Sequence, residues 1–233
     1  MKSGDNLYVW QNDNWPRWRF NAESLMPLLV QVHQALGRLM GRMRDQGMDP
    51  QGQATLAALT EDVLKTSEIE GEYLDADTVR SSIARKLGVD VGALKPADRH
   101  VDGVVEMILD ATGEHDIPLT AERIQAWHAA LFPTGRSGLT DIRVGCWRDD
   151  ADGPMQVVSG PTGREKVHYE APPAAHLEKE MGSFLFWLNH TAKTDPVLKA
   201  GIAHLWFVTL HPFEDGNGRI ARAIADMLLT RAD

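Results

Sequence analysis

Outside one central stretch, apolar residues in this chain recur at three- and four-residue intervals, which restricts the fold to a mainly helical one. Leu25, Leu28, Leu29, Val32, Leu36, Leu39 and Met43 define an amphipathic helix. Before it, the aromatic-rich segment Tyr8 to Phe20, with Trp15-Pro16, reads as a packed extended arm. A Gly- and Pro-bearing stretch, Gln46 to Gln53, breaks the pattern. Further helices are expected from about Ala54 to Ile69, with Gly71 as C-cap, and over Thr78 to Leu87, Ala97 to Thr112 and Thr120 to Leu131. After the central stretch, helices are expected over Ala174 to Asn189, Pro196 to Leu210 and Gly218 to Thr230.

The exception lies between Val144 and Pro173. There Met155-Gln156-Val157-Val158 and Lys166-Val167-His168-Tyr169 flank Gly160-Pro161-Thr162-Gly163, the signature of a hairpin. Two strands alone are marginal in water, so the hairpin should lie on the helical body. The expectation is an all-α (mainly helical) fold with one small β-hairpin. Gly160 to Lys166 lacks the Gly-Lys-Ser/Thr ending of a phosphate loop.

Composition removes several classes of function. Hydrophobic residues make up 43% and charged residues 24%, which is globular rather than disordered. A net charge of -9, from 24 basic and 33 acidic residues, argues against a general nucleic-acid binder. The lone Cys146 offers no disulfide and no CxxC metal site. With no signal-like or membrane-length apolar run, the expected setting is cytoplasmic, without membrane association. The end of the chain soon after the last helix suggests a trimmed terminus or a further C-terminal domain.

Chemistry concentrates in His211-Pro212-Phe213-Glu214-Asp215-Gly216-Asn217-Gly218-Arg219-Ile220-Ala221-Arg222. Gly216 and Gly218 permit a tight turn at the start of a helix, where N–H groups and the dipole favour an anion. Arg219 and Arg222, three residues apart, share a face and suit a polyphosphate. Asp215 supplies a hard oxygen for magnesium, and neutral His211 is a base for an attacking hydroxyl. Alone, each feature has an ordinary structural explanation. Together in one loop they point to phosphate transfer. His204 and His211 have no third ligand near in sequence, which argues against zinc. The other histidines carry no assigned chemistry.

This run resembles the Fic family signature H-P-F-x-[DE]-G-N-G-R-x-x-R at every defined position. Further likeness lies in His204, Phe207, Gly145, Arg148 and Pro172-Pro173, so the resemblance covers roughly Ala97 to Thr230. It implies a Fic fold whose hairpin is a flap that pairs with an extended target segment, with Val157 and Val158 as the contact stretch. It implies that His211 deprotonates the target hydroxyl, Asp215 binds Mg2+ (Mn2+ as the alternative ion), and Phe213 anchors the loop. Gly216, Asn217 and Gly218 would form the anion hole, and Arg219 and Arg222 would hold the β- and γ-phosphates. Attack at the α-phosphate of ATP then leaves AMP on a Ser, Thr or Tyr of a protein target, the chain itself included.

Upstream, Glu70 continues the apolar stripe Leu56, Leu59, Val63, Thr66. Thr66-Ser67-Glu68-Ile69-Glu70-Gly71 matches the inhibitory motif [ST]-x-x-x-E-[GN] of Fic proteins, which implies that Glu70 pairs with Arg222 and obstructs the γ-phosphate. Tyr8 to Phe20 and Val79 to Ile83 also resemble the N-terminal region of one group of bacterial Fic proteins. The expected organisation is an N-terminal helical region, 1–96, with the inhibitory helix at about 54–71, and a catalytic core, 97–233. The leading expectation is an autoinhibited protein adenylyltransferase, with a homodimer open. AMP removal by the same residues and a non-catalytic nucleotide sensor are the alternatives.

Overall fold

The computed structural model describes residues 8–45, 53–90, 92, 95–96, 98–161, 163–191 and 194–231. The expected break over 46–53 lies outside them except for Gln53, and so does Thr162 of the hairpin turn. The chain divides into two units, one of Arg17–Ala97 and one of Met1–Pro16 with Asp98–Asp233.

The unit of Arg17–Ala97 holds α1 (Ala22–Asp45), α2 (Gln53–Ile69) and α3 (Ala76–Leu87). Leu56, Leu59, Val63 and Thr66 of α2 are buried, as their spacing predicts. The helix closes in a Schellman arrangement, with Gly71 at φ +81° and the Glu72 N–H donating to Ser67 O at 3.0 Å. Asp75 caps α3 by accepting from the Thr78 N–H at 2.8 Å. In α1 the helix forms as expected, but among the described side chains of the stripe only Leu29 is buried. Leu28, Val32, Leu36 and Leu39 stay exposed. Periodicity marks a face without stating what covers it.

The larger unit is built around α8 (Asn217–Thr230). This helix packs on α4 (Arg99–Gly113), α5 (Ala121–Leu131) and α7 (Pro196–Leu210), and α7 packs in turn on α6 (Ala174–His190). The α8 stripe Ile220, Ala223, Ile224, Met227 and Leu228 is buried, and so are Phe184, Trp206, Phe207 and Phe213 around it. Helix ends follow their capping residues: Thr120 accepts from the Arg123 N–H, and Asp195 precedes Pro196 and accepts from the Val197 N–H. Gly103 lets α4 lie against α5, because a Cβ there would sit 1.8 Å from the Ala130 oxygen.

Two short antiparallel pairs interrupt the helices. The pair β1 (Arg136–Ser137) and β2 (Thr140–Asp141) gives too little length for alternation to register in sequence. The expected hairpin is β3 (Gln156–Ser159) and β4 (Lys166–Glu170), with Val157 opposite Tyr169, Val158 opposite Val167, and an irregularity between the two valines. Val157 and Val158 are both exposed.

The aromatic arm belongs to this unit as far as Pro16. It contains one turn of 3-10 helix, Val9–Gln11, and a cis Trp15-Pro16 bond, and so is less extended than its composition suggests. Trp10 donates its indole N–H to Glu170 O at 2.7 Å, and Tyr8 meets Tyr169 edge-on at 5.3 Å. Trp15 donates to Glu180 at 2.9 Å and meets buried Trp206 edge-on. The mainly helical fold with a small hairpin is thus observed. No helix among the described residues is long and apolar enough to cross a membrane.

Candidate active site

The loop between α7 and α8 begins at His211, whose backbone is left-handed (φ 48°, ψ 58°). It is the one non-glycine residue with positive φ among the described residues, a conformation that costs about 1–2 kcal/mol for an L side chain. The imidazole is held by Nδ1, 3.3 Å from Val208 O. A carbonyl only accepts, so Nδ1 carries the proton and Nε2 keeps its lone pair. Burial pushes the His211 pKa below its ordinary value; the Val208 carbonyl opposes this and the Arg148 charge adds to it. A neutral imidazole with Nε2 as acceptor is the form a base requires.

The loop is tied internally by Asn217. Its Oδ1 accepts from the Phe213 N–H at 3.0 Å, and its Nδ2 donates to Phe213 O at 2.8 Å. Phe213 is fully buried and stacks on His128, with centroids 4.0 Å apart and planes 5° from parallel. His128 is itself buried, and its Nδ1 accepts from the Gly145 N–H at 3.1 Å. Burial lowers its pKa to about 4.

Gly216 sits at φ +78° as N-cap of α8, and a Cβ there would meet the Phe132 ring at 2.8 Å. Its N–H is given to Asp215 Oδ1 at 2.6 Å, while Asp215 Oδ2 accepts from the Ser137 hydroxyl. The first turn of α8 leaves the N–H groups of Asn217, Gly218 and Arg219 without intrahelical carbonyls, at the positive end of the helix dipole. Of the expected anion hole of Gly216, Asn217 and Gly218, the latter two, with Arg219, offer such N–H groups, whereas the Gly216 N–H is engaged by Asp215. Gly216 contributes the turn, and the Asn217 side chain serves the loop.

Arg219 is 2% exposed, and its guanidinium lies 5.0 Å from the Phe132 ring centroid. Arg222 is half-buried on the next turn. His204 of α7 lies beside it; burial, then the Arg222 charge, lowers the His204 pKa. Asp215 is half-buried, and both its oxygens are oriented by donors. No group of three or more His, Cys, Asp or Glu forms a metal cage among the described residues. A single oriented carboxylate fits magnesium, which is bound through one or two carboxylates with phosphate oxygens and water completing the shell.

One cluster was not assigned a role from sequence. Arg148, 3% exposed, donates from Nε to His211 O (2.7 Å), from Nη1 to Asp150 Oδ1 (2.7 Å) and from Nη2 to Pro172 O (2.6 Å). Its backbone N–H donates to Pro212 O at 2.9 Å. Asp150 Oδ2 accepts from the Ala174 N–H at 2.6 Å, at the start of α6. The loop between α7 and α8, the foot of the hairpin and α6 are thus joined through one side chain. Between Gln156 at the start of β3 and Glu214 of the loop lies a cavity of about 280 Å³, lined also by Asp149, Asp152 and Met155. Glu70, the expected inhibitor, lies in the other unit, exposed and just past the last residue of α2.

Comparison with known proteins bears on the fold that carries this loop. A sequence model of the Fic/DOC family matches residues 118–229, and one of a domain of unknown function (DUF4172) matches residues 8–89. "Protein adenylyltransferase Fic" of Nematostella vectensis is 24% identical over 230 residues, which cover 91% of this chain and 48% of that protein. The Drosophila virilis protein of the same name is 46% identical over 63 residues, 26% of this chain and 13% of that one. The chain spans about half the length of the Nematostella relative or less of the others it matches. A Fic family protein from Desulfovibrio desulfuricans superposes with a TM-score of 0.60 at 23% identity, over 94% of this chain and 60% of that one. Fic-1 of C. elegans gives 0.56 at 22% identity, over 90% and 61%. The fold is the Fic fold, and residues 118–229 form a Fic/DOC domain.

Proposed function

We propose that this chain is a protein adenylyltransferase that transfers AMP from ATP to a hydroxyl of a protein. The observation that carries the proposal is the pairing of a neutral His211, with Nε2 open, with the N-terminal nest of α8 in the same short loop. The relatives named protein adenylyltransferase point the same way. Arg219 and Arg222 bind the β- and γ-phosphates, and the N–H groups of Asn217, Gly218 and Arg219 face the phosphate oxygens. His211 Nε2 takes the proton of the target hydroxyl as its oxygen bonds to the α-phosphorus, and the bond to the β-phosphate oxygen breaks. Pyrophosphate leaves, and AMP remains on the target. Asp215 would hold Mg2+, which when bound neutralises phosphate charge. The target segment adds to the flap at Val157 and Val158, through backbone bonds that make little demand on sequence.

Within this proposal Glu70 restrains the enzyme. The support is the inhibitory motif at the end of α2, with Thr66 and Ser67 buried and Glu70 exposed where the helix breaks at Gly71.

The test is incubation of wild type, Glu70→Gly and Glu70→Gly/His211→Ala with α-labelled ATP and magnesium. Label is expected on the Glu70→Gly protein, weakly or not at all on wild type, and not on the double variant. Absence of label under magnesium or manganese, with ATP still bound, overturns the transfer reading and makes an adenylylated protein the next substrate.

A further inference from the structure

The strained backbone of His211 is held from outside its own loop. A left-handed residue at a helix end directs its side chain away from the helix, and it keeps that direction only while its surroundings enforce it. The carbonyl of His211 receives Arg148 Nε at 2.7 Å, and the next carbonyl, Pro212 O, receives the Arg148 backbone N–H at 2.9 Å. Two successive peptide units around the base are thus fixed by one residue, 63 positions earlier in the chain. The remaining guanidinium nitrogens are committed to Pro172 O and Asp150, and the Arg148 side chain is 0% exposed.

We propose that Arg148 is a positioning residue for the base, setting the direction of the His211 imidazole and locking it to the foot of the flap. The proposal rests on the reading of His211 as the base. Only a guanidinium places three donor nitrogens in one plane toward three acceptors. Lysine has one donor centre and cannot satisfy His211, Pro172 and Asp150 together. Asp150 completes the device by neutralising the buried charge and capping α6 through Ala174. Because Pro172 lies two residues past the end of the flap, the direction of the base and the position of the incoming hydroxyl share one anchor. A residue that served stability alone would leave the imidazole tautomer and the chemical step untouched.

The experiment uses the Glu70→Gly protein with nitrogen-15-labelled histidine, and adds Arg148→Lys or Asp150→Asn. The His211 ring signals are assigned by their loss in His211→Ala. In the parent a single Nδ1-protonated tautomer is expected. In Arg148→Lys, with circular dichroism showing a retained fold, the signals should average between tautomers. ATP affinity by calorimetry should hold within about threefold. The rate of label transfer should fall about 100-fold, the scale of a 1 Å misplacement of a reacting group. A single tautomer with a transfer rate near the parent's overturns the proposal. If Arg148→Lys does not fold, Asp150→Asn decides: tautomer averaging supports the anchor, and a parent-like spectrum and rate overturns it. A parent that transfers no label refutes the adenylyltransferase reading instead, and the tautomer measurement still decides the role of Arg148.

Discussion

Truncation of Asn217 distinguishes a side chain that binds substrate from one that builds the loop. Asn217 is 3% exposed and makes two hydrogen bonds, both to the backbone of fully buried Phe213. Asn217→Ala leaves the Phe213 N–H and C=O buried without partners, at about 1–3 kcal/mol each. Alanine recovers about 0.6 kcal/mol in helix propensity, so the net loss is about 1.5–5.5 kcal/mol. For a chain of this size that lowers Tm by roughly 3–20 °C. The assay is thermal unfolding by circular dichroism without nucleotide. Asn217→Asp keeps the acceptor for the Phe213 N–H and loses the donor to Phe213 O, so it should lose roughly half as much. If instead the amide belonged to the anion hole, the ligand-free Tm would stay within about 1 °C of wild type and only ATP affinity would fall. That result would refute the clasp.

Two further predictions concern the surroundings of the loop. His128 has a folded pKa of about 4 and an ordinary value of 6.5, so its neutral form is favoured by folding. Its contribution is complete above pH 6.5 and is lost as pH falls toward 4, a change on the order of 3 kcal/mol. Urea midpoints at pH 7.5 and 4.5 should therefore diverge more in wild type than in His128→Phe, and equal divergence refutes the assignment. In the arm, Trp15→Ala removes an edge-on contact with Trp206 and a hydrogen bond to Glu180, together about 2–3 kcal/mol. An unchanged melting curve would show that the arm adds nothing to the larger unit.

What sequence reveals here depends on how far apart the interacting residues lie. Helix limits were legible because their signals are local: Thr120, Pro196 and Gly71 sit at or beside the ends they set. The twelve-residue run was legible for the same reason, since one turn and one helix start place base, carboxylate and arginines together. The β1–β2 pair escaped because two residues per strand carry no period. His128 drew no assignment, because a lone histidine on a helix does not announce that it will stack on Phe213 eighty-five positions later. The resemblance puts Asn217 in the anion hole, and the bonds of its side chain to the Phe213 backbone are seen only in the structure. The α1 stripe shows the converse: clear period, little burial.

The site itself divides along this line. Residues expected to touch ATP are contiguous, because a helix N-terminus brings N–H groups and arginines to one place without help from elsewhere. Residues that hold the base in direction cannot be contiguous. A loop that begins in a left-handed conformation gains nothing locally from keeping it, so the restraint must come from a side chain anchored elsewhere. Arg148 is such a side chain, and its acceptors at His211, Asp150 and Pro172 lie on three separate segments. A motif match alone therefore predicts what a Fic domain can bind more securely than how well its base is aimed. That second property is to be sought in the buried guanidinium rather than in the run His211 to Arg222.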